Sequence, residues 1–248
     1  MITHYTGKVP FITAAQMAEI EKLVANEFGI NLYQIMENAG LNLALLAKEI
    51  FLNHETAGKK IAAYVGRSTS GGGVLVAARR LHTWGAKVQV VLTTPEKRLS
   101  AVTEKQLDIV KKLKIPVVDN IAKDTDLILD GIFDYNLKTQ PRGKQADFIR
   151  DINKTGIPVL ALDAPSGLDL STGKLADPSV KAKATMTLAI PKLGLFKIRA
   201  SKNIGDIYLA DVGIPPEAFE SLDIKKEDIQ KAFTSFPVVK INKLVVLG

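Results

Sequence analysis

Short apolar runs alternate with helix-length segments along most of this chain, and no other feature constrains its fold as tightly. Lys60-Ile-Ala-Ala-Tyr-Val65, Val88-Gln-Val-Val-Leu92, Asp126-Leu-Ile-Leu-Asp130, Ile157-Pro-Val-Leu-Ala-Leu-Asp163, Thr185-Met-Thr-Leu-Ala-Ile190 and Ile207-Tyr-Leu209 read as buried strands. Helical segments separate the first four: Val74 to Trp84, about Val102 to Leu113, and 143–154. Two helices precede them. Thr13 caps a run through Met17, Ile20, Leu23, Val24 and Phe28 that Gly29 closes, and Asn31 opens a second run to Ile50. The pattern predicts an α/β fold, a three-layer αβα Rossmann-like sandwich with a mostly parallel sheet and helices on both faces. Ligands of such sheets bind at the carboxyl ends of the strands, near a switch point. The loops that begin at Gly66, Asp130 and Asp163 are therefore expected to converge.

Composition narrows the chemistry. The 248 residues contain no cysteine, which removes disulfides, thiolate metal sites and cysteine nucleophiles. No stretch reaches the roughly 18 apolar residues of a spanning helix, and the first residues carry no signal-peptide pattern, so a cytoplasmic protein is expected. The 33 basic and 26 acidic side chains give a net charge of +7, which suits nucleic acid or an anionic cofactor equally. The charges are interspersed and there is no aromatic RNA-binding motif, so nucleic acid is possible but not favoured.

Three constellations stand at the expected crevice. Gly66 to Gly73 lies between a strand and a helix, where free amides and glycines admit an anion or simply make a tight turn. It is neither a Walker loop nor G-x-G-x-x-G, because Ser68 takes the third position and Val74 follows the glycines. Asp130 and Asp163 end two strands, with Asp134 in the loop after the first. Such carboxylates bind a cation, hold a hydroxyl, act in acid–base chemistry, or cap local turns. Ser166 lies in Asp163-Ala-Pro-Ser-Gly-Leu-Asp169, but Ala164 occupies the glycine position of a nucleophile elbow, and the only histidines are His4, His54 and His82.

Taken in order, these residues resemble the NAD(P)HX epimerases, the YjeF N-terminal domain family. The resemblance rests on Met36-Glu-Asn-Ala-Gly40, Leu75-Val-Ala-Ala-Arg79, Leu127-Ile-Leu-Asp-Gly-Ile-Phe133, Asp163 to Asp169, Thr172-Gly173 and Ala189-Ile-Pro-Lys-Leu-Gly-Leu195, and covers about residues 13–220. It implies interconversion of the R and S hydrates of NADH and NADPH, in partnership with a dehydratase, by a homodimer that uses a potassium ion. Carried over by position, the ion ligands are Thr69, Asp130 and Ser166. The catalytic carboxylates are Asp163 and Asp134. The substrate contacts are Ser68, Thr69, Ser70, Gly71, Gly72, Gly73, Asp134, Tyr135, Asn136, Arg142 and Asp163.

The chain departs from the family at its most diagnostic loop. The family pattern Asn-Asn-Gly-Gly-Asp-Gly reads here Thr69-Ser-Gly-Gly-Gly-Val74, and Asp134 stands where a glycine usually follows Ile-Phe. A catalytically inactive member, serving as a nucleotide-, RNA- or protein-binding module or for dimerisation, is the alternative reading. Residues 1–223 read as the epimerase-like domain. Residues 224–248 resemble the linker and first strand that open a dehydratase domain in two-domain members.

Overall fold

In the computed structural model, residues 2–134 and 140–242 are described. Eight strands form one sheet in the order β1-β8-β7-β6-β5-β4-β2-β3. These are β1 (Thr3–Tyr5), β2 (Lys60–Val65), β3 (Lys87–Leu92), β4 (Leu127–Gly131), β5 (Val159–Leu162), β6 (Ala184–Leu188), β7 (Asp206–Ala210) and β8 (Val238–Ile241). All neighbours run parallel except β7 and β8. The chain leaves β2 toward β3 on one side and returns to β4 on the other, so the switch point lies between β2 and β4.

The helices α1 (Ala14–Glu27), α2 (Leu32–Ile50), α3 (Thr69–Thr83), α4 (Ala101–Lys112), α5 (Gly143–Thr155) and α6 (Lys226–Gln230) cover the two faces. Strand alternation decides which face each apolar residue feeds. Ile61, Ala63 and Val65 pack with Leu43, Leu75, Leu81 and Leu107 of α2, α3 and α4. Ala62, Tyr64 and Ile128 point the other way, onto Ile149 and Ile152 of α5. Ile207 and Leu209 extend that second face under Met17, Ile20 and Val24 of α1. This is the three-layer sandwich expected from the alternation.

Local signals set the helix ends as read. Thr13 and Gln16 form a reciprocal capping box before α1, as do Asn31 and Gln34 before α2. Gly29, at φ +67°, separates the two helices. No helix is long and apolar enough to cross a membrane among the described residues.

One sequence expectation needs correction. The helix after Gly66 begins at Thr69, not Val74, so Ser70 to Gly73 form its first turns instead of a loop. Close packing is the reason. A Cβ on Gly71 would overlap the Gly66 carbonyl, one on Gly72 would meet the Met36 thioether at 2.6 Å, and one on Gly73 would meet Leu162 Cδ2 at 2.6 Å. Each glycine costs about 1 kcal/mol of helix propensity relative to alanine, and lets α3 lie directly against the sheet and α2. Residues 226–241 form α6 and β8, and β8 pairs antiparallel with β7 and parallel with β1 within the same sheet. Residues 243–248, the end of the tail read as a linker and first strand, lie outside the described residues.

Candidate active site

The loops after β2, β4 and β5 do meet. A Cβ on Gly66 would collide with the Ile132 carbonyl, and the Ser70 carbonyl lies against Gly131. Across this junction Asp130, at the end of β4, accepts three hydrogen bonds. Ser166 Oγ donates to Oδ1 at 2.6 Å, Ser166 N to Oδ2 at 2.8 Å and Ile132 N to Oδ1 at 3.2 Å. The Ser166 hydroxyl also accepts from Phe133 N at 2.9 Å, which ties the β4 loop to the β5 loop. Asp130 is fully buried, and burial pushes its carboxyl above the usual carboxylate range against the pull of these bonds.

A second carboxylate sits at the end of β5 in a different setting. Asp163 takes φ +62° and Ala189, after the adjacent β6, takes φ +59°. Each centres a three-residue turn, because Ala164 N donates to Leu162 O at 2.8 Å and Ile190 N to Leu188 O at 2.6 Å. Side chains with a Cβ occupy such γ-turns only under strain. The two turns bring Lys192 Nζ to 2.6 Å from Asp163 Oδ1, with both side chains almost fully buried. Thr187 Oγ1 and Leu188 N also donate to Oδ1, each at 3.2 Å. Lys192 Nζ reaches back to Leu188 O at 3.0 Å.

The pair forms part of the wall of a cleft closed by Met17 of α1, Met36 of α2, and Thr69, Ser70 and Gly73 of α3. Val212 and Ile214 complete it from the loop after β7, which α2 positions through Asn42 Nδ2 to Asp211 O at 2.6 Å and Asn38 Nδ2 to Val212 O at 3.1 Å. The positive end of the α3 dipole faces this cleft, and no acidic residue occupies its first turn.

The residues singled out from sequence thus fall into groups. Asp130 and Ser166 touch. Thr69, Ser70, Gly73 and Asp163 share the cleft. Gly71 and Gly72 are buried in helix packing. Ser68 precedes α3; its hydroxyl is buried and bonds to nothing among the described residues, while its carbonyl accepts from Thr103 Oγ1 at 2.8 Å. Asp134 is half-buried at the edge of the β4 loop, and Arg142 is exposed at the start of α5. Tyr135 and Asn136 lie outside the described residues. Sequence reasoning missed Lys192. Its only signal was a lysine inside the apolar stretch Ala189 to Leu195.

The side-chain groups that meet here, the Asp130 carboxylate and the Ser166 hydroxyl, offer only oxygen, which suits a hard cation and not a transition metal. No group of three or more His, Cys, Asp or Glu gathers as a metal site among the described residues. A buried carboxylate beside a hydroxyl, with no cationic side chain against it among the described residues, fits a monovalent ion.

A family model described as YjeF-related protein N-terminus matches residues 32–194. The NAD(P)H-hydrate epimerase of Dehalogenimonas lykanthroporepellens is 36% identical over 217 residues, covering 86% of each chain. The chain belongs to the YjeF-related N-terminal family. The NAD(P)H-hydrate epimerase of Limosilactobacillus fermentum is 33% identical, with 81% of this chain and 95% of that one covered. The bifunctional NAD(P)H-hydrate repair enzyme of Moorella thermoacetica is 32% identical, and this chain spans 40% of its length. The crystal structure of yeast ynu0 superposes with a TM-score of 0.78 at 22% identity, covering 94% of this chain and all of that one, and shares the fold.

The family motif on α2 has a physical reading here. Met36 lines the cleft, Glu37 and Asn38 bridge to α3 and to the loop after β7, and Gly40 lets α2 meet Val76 and the Gly73 carbonyl of α3.

Proposed function

We propose that this protein interconverts the R and S hydrates of NADH and NADPH. One observation carries the reading. A solvent-shielded carboxylate, Asp163, forms part of the wall of a cleft at the carboxyl ends of the strands, in a chain similar over most of its length to proteins named NAD(P)H-hydrate epimerase. The chemistry suits that wall. The ring-nitrogen lone pair expels the 6-hydroxyl, which takes a proton and leaves as water, and the ring is left as a delocalised cation. A fixed anion beside the ring stabilises that cation more strongly than water does, because it needs no reorganisation. Water then re-adds to either face and returns the proton. The α3 N-terminus and the chain's positive balance support binding of the phosphates.

Asp130 and Ser166 would hold a potassium ion, with Thr69 from the neighbouring helix turn. The ion would supply a fixed positive charge that neutralises Asp130 and orders the β4 and β5 loops. A dehydratase acting on one hydrate, a homodimeric state and a cytoplasmic location belong to the same reading.

The test is chromatographic. Purified protein incubated with one NADPH hydrate, with and without potassium, is expected to equilibrate the two hydrates well above the spontaneous rate. A rate equal to the spontaneous one at saturating potassium would sink the reading. Binding without turnover is the second reading, and Gly73 favours it. The family carries a carboxylate at this position, and a side chain here would have to displace Leu162. A thermal shift with NADPH but no equilibration of hydrates would select it.

A further inference from the structure

We propose that Lys192 is a positioning residue that acts through Asp163, fixing one carboxylate oxygen so that the other meets the substrate. The proposal rests on the epimerase reading. Its basis is an asymmetry in how Asp163 is bonded. Oδ1 accepts from three donors, Lys192 Nζ, Thr187 Oγ1 and Leu188 N. Among the described residues, nothing donates to Oδ2. A carboxylate has about four acceptor positions, so nearly all the anchoring falls on one oxygen, and the second is left to a group entering the cleft.

The lysine is itself held in place. It is 1% exposed, and its ammonium is tied to the Leu188 carbonyl as well as to Asp163. Leu188 therefore contacts both partners, its N–H bonding the acid and its carbonyl bonding the base. The two γ-turns bring Asp163 and Lys192 together at this one residue. A buried ion pair contributes little net stability compared with apolar side chains of the same size. Retaining strain at two positions and two buried charges is unfavourable for folding alone, and strain of this kind collects where geometry serves a site. In this arrangement Lys192 holds Oδ1 and so fixes the direction of Oδ2. It does not itself touch the reacting ring.

The experiment compares wild type, Lys192→Met, Lys192→Ala, Asp163→Asn and the double variant Asp163→Asn/Lys192→Met in steady-state hydrate epimerisation with potassium present. Lys192→Met is expected to lower kcat by roughly 100-fold, the scale of losing one preorganised electrostatic group, with KM for the hydrate nearly unchanged. The double variant is expected to be no slower than Asp163→Asn, because the two side chains act as one unit. Lys192→Ala leaves a lysine-sized gap, and millimolar propylamine is expected to restore kcat where propanol does not. A merely structural lysine would give neither the amine-selective rescue nor the split between kcat and KM.

If Lys192→Met fails to fold, the double variant still decides, since it buries no unpaired charge. The proposal requires it to fold and to match Asp163→Asn. Wild-type kcat in Lys192→Met, equal rescue by propanol, or a double variant much slower than Asp163→Asn overturns the proposal while leaving the epimerase reading intact. A wild-type protein that does not epimerise overturns both.

Discussion

One guanidinium nitrogen of Arg79 lies between both carboxylate oxygens of Glu37, at 2.5 and 2.7 Å, and so locks α3 to α2. Arg80 Nη2 and Gln106 Nε2 add bonds to the same carboxylate, each at 3.2 Å, and the Gln106 bond recruits α4. Partial burial pushes the Glu37 carboxyl up, but Arg79 outweighs that, with help from Gln106 and Arg80, and holds it below the usual range. Glu37→Gln is expected to lower stability by about 1 kcal/mol, since the group is about a third exposed and solvent screens the pair. The sign follows from the lowered value. The native state favours the ionised form, so this stabilisation is present above the unfolded value of 4.5 and fades as pH falls through the lower native value. Urea melts of wild type and variant are expected to differ at pH 7 and to converge in acid. A difference that persists unchanged in acid would show that charge is not the source.

Gly40 is where α2 and α3 meet most closely. A Cβ there would overlap Val76 and lie 2.7 Å from the Gly73 carbonyl, a backbone atom that cannot rotate away. Gly40→Ala gains helix propensity and loses more to overpacking. A net loss of about 1–3 kcal/mol is expected, read as a lower urea midpoint. An unchanged or raised midpoint would mean that the helices part freely.

The same pairings show what the sequence made legible. Strand ends are marked by the switch from apolar run to polar residue, so Asp130 and Asp163 could be placed at the crevice without coordinates. Capping residues were equally plain, because Thr13 and Asn31 act on amides only three residues away. The start of α3 was not plain. Its glycines read as a loop by propensity, and only the closeness of Gly66, Met36 and Leu162 explains them as helix. Three-residue β1 has no run to detect. Lys192 was hidden for a different reason. Lysines are ordinarily exposed, and its partner lies 29 positions away, joined to it by two strained turns that no local pattern announces.

Tyr64 gives a prediction at the other end of the pH scale. Its ring is buried on the α5 face, edge-on to Phe148 at 5.8 Å. Burial, with the Asp151 carboxylate nearby, pushes its hydroxyl from 10.0 to about 12. Below pH 10 the native and unfolded states are both protonated and nothing is gained or lost. Above it the unfolded state loses its proton first, so stability falls until the native value is reached. Tyr64→Phe is expected to match wild type below pH 10 and to exceed it increasingly up to about pH 12, by about 1.4 kcal/mol per pH unit. Other tyrosines cancel in the comparison. Parallel stability curves across that range would show that Tyr64 ionises as freely in the native state as in the unfolded one.

Ala189 tests whether strain at the site is real and useful. At φ +59° its Cβ opposes the left-handed backbone, while its N–H is fixed to the Ala210 carbonyl at 2.8 Å and holds the turn in place. Glycine at this position removes a cost of about 1–2 kcal/mol and adds back about 0.5–1 kcal/mol of chain entropy. Ala189→Gly is therefore expected to raise stability modestly, seen as a higher urea midpoint with an unchanged slope. The catalytic effect has the opposite sign. Glycine widens the range of the turn that carries Leu188 and Lys192, so Oδ2 of Asp163 is less narrowly aimed and hydrate epimerisation slows. A variant both more stable and slower would locate the stored strain in the machinery that orients Asp163. A variant less stable than wild type would show that the turn is favourable for alanine as it stands, and that its geometry owes nothing to the site.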